Sequence, residues 1–191
     1  MKHTKLLTLI EGAVIVAVAT ALSWIPLNLP NASFDLSLGL IPLGVYALRR
    51  GAPAGLVAGF VWGLLLIVLG KAYFMTIPQV LLEYPIAFAL GGLGGVFSGR
   101  LRGALAAKET RRIHLTVIFA GVVAACARWF IHFWAGVIFW GSYAPEGMSP
   151  YIYSGIMNGA SAAANAAMLA VVLTVVVKAA PALFVPKEVY R

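Results

Sequence analysis

The sequence has little of what soluble proteins depend on. Only 10% of its 191 residues are charged, six of them are acidic, and it contains one cysteine, Cys126. Soluble domains are about one-quarter charged, so this composition excludes a soluble globular domain and a disordered chain. A single thiol excludes an internal disulfide. What is abundant is apolar: 62% of the residues are hydrophobic and the mean hydropathy is +0.95, which favours a polytopic membrane protein.

Six apolar segments predict an all-α membrane protein with six transmembrane helices, forming one domain over residues 1–191. Runs of this length favour helices over strands. The second run is shorter than the roughly 20 residues of a full span, so it is expected to be tilted, partly interfacial or longer at its start. The segments cover residues 6–25, 36–48, 52–69, 78–97, 113–141 and 150–177.

The basic residues predict the orientation of these spans. With six spans, twelve Lys and Arg side chains share one side, the other side has only Lys71, and Arg128 lies within a span. This bias predicts cytoplasmic N- and C-termini in the cell membrane, so the net charge of +8 reports orientation and not nucleic-acid binding. A signal peptide is the less favoured interpretation of the first run, which is too long for one. The twelve are Lys2, Lys5, Arg49, Arg50, Arg100, Arg102, Lys108, Arg111, Arg112, Lys178, Lys187 and Arg191.

Stripes of small residues at four-residue spacing are candidates for close helix contacts. They are Gly55, Gly59 and Gly63 in the third span, Gly91 and Gly95 in the fourth, and Ala13, Ala17 and Ala21 in the first. Each stripe predicts either a contact within the bundle or a docking face for another membrane protein. The first span is the best candidate for docking, because its other faces are plain Val, Ile and Leu.

Ionisable side chains inside spans cost about 2.5–3.5 kcal/mol each, so those that occur are candidates for function. Glu83 lies in the fourth span, and Arg128 and His132 lie four residues apart in the fifth. A rise of about 1.5 Å per residue, counted from the outer ends of the spans, puts Glu83, His132 and Asn158 at similar depth in the outer half of the membrane. Two other interpretations stay open, a structural Glu83–Arg128 ion pair and a packing role for His132.

Polar and aromatic residues surround this cluster. The polar stripe of the sixth span is Ser154, Asn158, Ser161 and Asn165, and the aromatics of the outer rim are Tyr73, Tyr84, Trp140, Tyr143, Tyr151 and Tyr153. An interfacial aromatic belt is the simpler interpretation for Tyr143 and Tyr151. Together the cluster predicts a pocket that is open to the outside. It suits a small, flat, water-soluble heterocycle, and a cationic one is favoured by aromatic faces. One carboxylate and one imidazole argue against a metal site.

Several of these residues lie in motifs that resemble a known family. They are residues 81–84 (LLEY), 129–140 (WFIHFWAGVIFW) and 153–159 (YSGIMNG), with residues 48–51 (LRRG), 54–57 (AGLV) and 62–63 (WG). With them, nearly the whole chain resembles the thiamine-specific substrate-binding subunit of energy-coupling factor transporters.

The resemblance implies the following fold, function and partners. The fold is that of a six-helix membrane subunit with cytoplasmic termini. The function is the capture of thiamine at the outer side, and no cofactor is expected. Its partners are a membrane coupling subunit, on which the face with Ala13 and Ala17 docks, and two cytosolic ATPase subunits. The chain has no Gly-rich nucleotide-binding loop with Lys-Ser/Thr, so it is not expected to be an enzyme.

The resemblance also implies roles for the site residues. Glu83 holds the aminopyrimidine with help from Tyr153 and Asn158, Trp140 stacks on the ligand, and Gly136 leaves room for it. His132, Tyr84 and Tyr73 line the thiazolium and hydroxyethyl side.

The chain departs from the family pattern at two positions. Arg128 stands where a lysine is expected, so its contact with the ligand is open. A tryptophan is expected in the loop between the first two spans, where this chain has Asn31-Ala32-Ser33-Phe34-Asp35, and Phe34 is the candidate substitute as the aromatic lid.

Two other classes of function remain as alternatives. One is a solitary proton- or ion-coupled transporter of a small heterocyclic cation, with Glu83 and His132 as proton sites. Such transporters are usually built from repeats, and no repeat is visible. The other is an intramembrane hydrolase, but Ser154 and Ser161 lie among small residues typical of helix packing, and Glu83 has no second acid beside it.

Overall fold

The structure, a computed structural model, describes residues 2–25, 27 and 34–186. Within this part of the chain all regular structure is helical, as predicted. The described ranges leave out Asn31, Ala32 and Ser33 of the expected lid, and Lys187 and Arg191 of the charge count. The six main helical segments are α1 (Lys2–Leu22), α2 (Leu40–Arg50), α3 (Ala52–Val68), α4 (Ile77–Ala106), α5 (Thr110–Phe139) and α6 (Pro150–Ala179).

The ends of these helices follow local sequence signals. Thr76 caps α4, where its hydroxyl accepts a hydrogen bond from the Gln79 N–H at 3.2 Å. Ser149 caps α6 in the same way by accepting from the Tyr151 N–H at 3.3 Å. Proline follows within two residues of each cap, where its missing N–H costs nothing. Gly51 alone joins α2 to α3, and its φ of 91° is a conformation that other residues rarely adopt.

The structure corrects two predicted spans: the fourth runs on to Ala106 instead of ending at residue 97, and the second is shorter than predicted. Its helix begins at Leu40 instead of residue 36 and extends to Arg50, so Asp35 lies in the non-helical segment before α2. Eleven residues reach about 16 Å, roughly half of the hydrocarbon core. Four described helices, α1, α4, α5 and α6, are long and apolar enough to cross a membrane, and α3 is a shorter apolar helix. The count of six spans therefore stays a prediction.

Glycines let α3 and α4 approach backbone to backbone. A Cβ on Gly55 would lie 2.8 Å from the carbonyl oxygen of Gly92, and one on Gly63 would lie 2.5 Å from that of Tyr84. Beside this contact Trp62 is fully buried and its ring meets that of Phe88 edge-on at 4.5 Å. The glycine stripe of α3 thus serves contacts within the bundle.

A cluster of arginines joins several helix ends at one end of the bundle. Arg49 and Arg50 of α2 both bind the carboxylate of Glu11 on α1, at 2.9 and 2.6 Å. Arg49 also donates to the carbonyl of Val185, beyond α6, at 2.6 Å, and Arg102 of α4 donates to the Arg49 carbonyl at 3.3 Å. The start of α1 and the ends of α2, α4 and α6 therefore share one end. That this end faces the cytoplasm stays a prediction.

The alanine stripe of α1 does not pack within the bundle. Ala13, Ala17 and Ala21 are exposed, whereas Val16 and Ala19 are buried on the opposite side of the helix. Of the two interpretations of this stripe, the structure disfavours a contact within the bundle. The docking interpretation remains untested.

Candidate ligand-binding cavity

A cavity of about 620 Å³ lies towards the end of the bundle opposite the arginine cluster. It is bordered by the end of α1, residues 35–38, the loop before α4, and parts of α4, α5 and α6. Pockets for small molecules measure roughly 300–1,000 Å³, so this one is of the right size. Among the described residues no three His, Cys, Asp or Glu side chains come together as a metal site would require.

All nine residues predicted to bind substrate border this cavity. They are Tyr73, Glu83, Tyr84, Arg128, His132, Gly136, Trp140, Tyr153 and Asn158. The polar stripe of α6, Ser154 to Asn165, borders it too, so Ser154 and Ser161 do more than pack against neighbouring helices. Phe34 is half-buried and is not among the described residues around the cavity. The arrangement brings the predicted residues together, while their roles in binding stay predictions.

Glu83 sits in a wide turn within α4. Residues Leu82–Ile86 form a π-helical turn that contains Pro85, which lacks an N–H and clashes with the carbonyl four residues earlier in a regular helix. Turns of this kind are frequent at functional sites, because they redirect one or two side chains.

Two neutral donors hold the Glu83 carboxylate. Trp140 Nε1 donates to Oε1 at 2.6 Å, and Gln79 Nε2 donates to Oε2. Gln79 is itself fixed, because its side chain accepts from the Met75 N–H at 3.0 Å and donates to the Tyr73 carbonyl at 3.1 Å. Each carboxylate oxygen retains capacity for a further hydrogen bond. Sequence reasoning missed Gln79, although its position four residues before Glu83 on one helix face was the available signal.

The sequence left an ion pair between Glu83 and Arg128 as one possible interpretation, and the structure does not contain it. Arg128 Nη2 instead binds Asp35 Oδ2 at 3.1 Å, and its guanidinium carbon lies 4.3 Å from the centre of the Phe88 ring. Pairing only the charges within spans leaves Asp35 out, because Asp35 lies in the connection between α1 and α2. Glu83 therefore has no cationic partner among the described residues.

Aromatic side chains form one wall of the cavity. The ring centres of Tyr73 and Trp140 are 5.1 Å apart, and those of Trp140 and Tyr143 are 5.5 Å apart. Tyr84 Oη accepts a hydrogen bond from the Tyr73 N–H at 2.7 Å, which ties the loop before α4 to the π turn. Tyr143 thus borders the cavity and is more than part of an interfacial belt, whereas Tyr151 lies outside it, edge-on to Trp134.

Gly136 allows α5 and α6 to come close behind the cavity. A Cβ there would overlap the Ser154 hydroxyl and would lie 2.9 Å from Asn158 Nδ2. Ser154 donates to the Phe133 carbonyl at 2.7 Å and accepts from Asn158 at 3.1 Å, so this hydroxyl joins the two helices. The absence of a side chain at Gly136 therefore makes room for α6, as well as for any ligand.

Three buried polar atoms on α5 have no hydrogen-bond partner among the described residues. They are Arg128 Nε, Trp129 Nε1 and His132 Nε2, and all three residues border the cavity. Buried polar groups are nearly always paired, so these three atoms can still bond to water or to a ligand in the cavity. This observation argues against the interpretation of His132 as a packing residue whose bonds are already satisfied.

Comparisons with known proteins point to one family. The sequence model of the family described as Thiamine transporter protein (Thia_YuaJ) matches residues 9–185. A curated relative from Lacticaseibacillus paracasei, called Thiamine transporter ThiT, is 41% identical over 98% of this chain and 94% of its own length. A Bacillus subtilis relative of the same name is 31% identical over 94% of each chain. A solved structure of ThiT from Listeria monocytogenes has a TM-score of 0.91 and 39% identity, and the match covers 96% of this chain and all of that one.

Proposed function

Because the chain belongs to the thiamine transporter protein (Thia_YuaJ) family, we propose that it captures thiamine from outside the cell in the cavity beside Glu83. It does so as the substrate-binding subunit of an energy-coupling factor transporter. Its family and its apolar helices make it a multi-pass membrane protein, and its relatives are transporters and not enzymes. Extracellular capture, the site and the coupling to partner subunits are the parts that we propose.

The observation that carries the proposal is the setting of Glu83. Its carboxylate has two neutral donors and no described cationic partner, and aromatic rings stand beside it. Thiamine is a cation with an aminopyrimidine ring, so its amino group suits the free capacity of the carboxylate. A hydrogen bond to a charged group is worth about 1.5–3 kcal/mol.

The aromatic wall suits the rest of the ligand. The hydrogen bond from Trp140 to Glu83 fixes the indole, whose ring lies beside Tyr73. A cation over such a ring gains about 0.5–2 kcal/mol, more when water is excluded. In this arrangement Tyr153 and Asn158 assist at the pyrimidine, and His132, Tyr84 and Tyr73 line the thiazolium and hydroxyethyl side.

Tryptophan fluorescence tests capture. Thiamine titrated into the detergent-purified protein should quench the emission saturably, and Trp140→Phe should remove most of this quenching. Trp134→Phe is the matched control, because Trp134 is 40% exposed and does not border the cavity. Quenching that persists in Trp140→Phe and disappears in Trp134→Phe would contradict the assignment of the cavity.

Uptake into vesicles tests the coupling. Thiamine should accumulate only when a coupling membrane subunit and two ATPase subunits are co-reconstituted with internal ATP. Accumulation by the chain alone, abolished when the proton gradient is collapsed, would instead favour the solitary transporter.

A further inference from the structure

The connection between α1 and α2 forms part of the cavity wall. Asp35, Leu36, Ser37 and Leu38 all border the cavity, yet none of them belongs to a helix. Along the chain, the Ser37 and Leu38 carbonyls accept bonds from the first turn of α2, at 3.0 Å each, but the backbone groups of Asp35 depend on bonds from other helices.

Two side chains of α6 bind the backbone of this segment. Asn165 Nδ2 donates to the Asp35 carbonyl at 2.7 Å, and its Oδ1 accepts from the Ser37 N–H at 2.9 Å. Ser161 Oγ accepts from the Asp35 N–H at 3.1 Å. Asn165 is 4% exposed, so these bonds are shielded from water. One amide thus pairs with the segment as a neighbouring strand would.

Arg128 holds the same segment from α5. Its ion pair with Asp35 links α5 to the side chain of the first residue of the segment. Arg128 itself is buried, with 7% of its surface exposed. Phe88 covers the guanidinium on one face. The guanidinium is therefore fixed between α4 and the segment, with its charge balanced by Asp35.

We propose that Arg128 and Asn165 are positioning residues for ligand binding, and that they act by holding residues 35–38 as a wall of the cavity. Arg128 acts on the ligand through Asp35. The pair also balances the positive charge of Arg128, which borders the cavity that a cationic ligand would occupy. This inference rests on the proposed function, because it assumes that thiamine occupies the cavity.

A double-mutant cycle in the full-length protein tests the proposal. The variants are Asp35→Asn, Arg128→Gln and the double variant, with Arg111→Gln as an exposed control. Thiamine association and dissociation are followed by stopped-flow fluorescence. Each single variant should release thiamine about tenfold faster, and the double variant should be no worse than the poorer single one, as coupled residues behave. The double variant leaves no unpaired buried charge, so it remains informative if a single variant fails to fold.

Asn165→Ala provides a second, uncharged perturbation of the same segment. It should also speed dissociation. Additive losses in the cycle, or a loss in Arg128→Gln with none in Asp35→Asn, would mean that Arg128 contacts the ligand directly. Tighter thiamine binding by Arg128→Gln would mean that its charge alone matters.

Amide hydrogen exchange without ligand separates this inference from the proposed function. Residues 35–37 should exchange slowly in the parent protein and faster in Arg128→Gln and Asn165→Ala. If the parent protein bound no thiamine, the proposed function would fail, while the exchange rates would still show whether Arg128 and Asn165 hold the segment. Unchanged exchange in both variants would mean that Arg128 and Asn165 do not hold the segment, and would overturn this inference.

Discussion

Single residues decide how closely the helices around the cavity approach. Gly136→Ala adds one methyl group that overlaps the Ser154 hydroxyl linking α5 to α6. Overpacking of this kind costs about 1–3 kcal/mol. We expect a lower unfolding temperature in detergent and at least tenfold weaker thiamine binding.

Gly155→Ala is the matched control for this substitution. Its Cβ would meet only Phe133 at 3.8 Å, an ordinary contact. A Gly136→Ala protein with the stability and affinity of Gly155→Ala would contradict the close approach described here.

The members of the site could be predicted at this scale, but their partners could not. Counting helical rise brought Glu83, His132 and Asn158 to one depth, because an α-helix has a fixed pitch. The partner of Arg128 is Asp35, 93 residues away and outside any helix, so no spacing rule reaches it. Gln79 could have been predicted from its position four residues before Glu83, but an uncharged amide does not stand out in a span as an ionisable side chain does.

Among whole elements, α1 is distinguished by its exposed alanines. Ala13→Trp should leave thiamine binding in detergent unchanged and should block assembly with the coupling subunit, because a large side chain prevents close helix contact. Val57→Trp, on an exposed position of α3, is the control that should assemble normally. Assembly that survives Ala13→Trp would remove α1 from the docking face.

The contact between α1 and α2 depends on Glu11. Its carboxylate accepts from both Arg49 and Arg50, whose side chains are 16% and 5% exposed. Hydrogen bonds to charged groups are worth about 1.5–3 kcal/mol, so Glu11→Gln should lower the unfolding temperature measured in detergent. Glu109→Gln removes a surface pair with Arg112 and should have little effect. Equal stability of the two variants would show that the cluster does not hold α1.

Helix caps can be recognised in the sequence more readily than unusual turns. A cap depends on local residues alone, so the sequence itself marks Thr76 and Ser149, each followed within two residues by a proline. The apolar pattern places the start of α2 four residues early, because Leu36 and Leu38 belong to a segment that is half-buried without being helical. The one sequence signal of the π turn at Glu83 is Pro85, and a proline at this position is equally consistent with a helix kink.

For the molecule as a whole, the charge distribution predicts which end faces the cytoplasm. Single cysteines at Lys108 and Glu146, introduced after Cys126→Ala, test it with a membrane-impermeant thiol reagent on intact cells. The cysteine at 146 should react, and the one at 108 should react only after the cells are opened. The reverse pattern would invert the proposed orientation and move the cavity to the cytoplasmic side.

The central claim is that Glu83 binds the amino group of thiamine in this cavity, and calorimetric titration with two ligands tests it most directly. Oxythiamine carries an oxygen in place of that amino group. The parent protein should bind one thiamine at least tenfold more tightly than oxythiamine, since about 1.4 kcal/mol corresponds to a factor of ten. Glu83→Gln should weaken thiamine binding and remove most of that preference. Equal preference in the two proteins would contradict the role of Glu83, and no binding of thiamine by the parent protein would contradict the function.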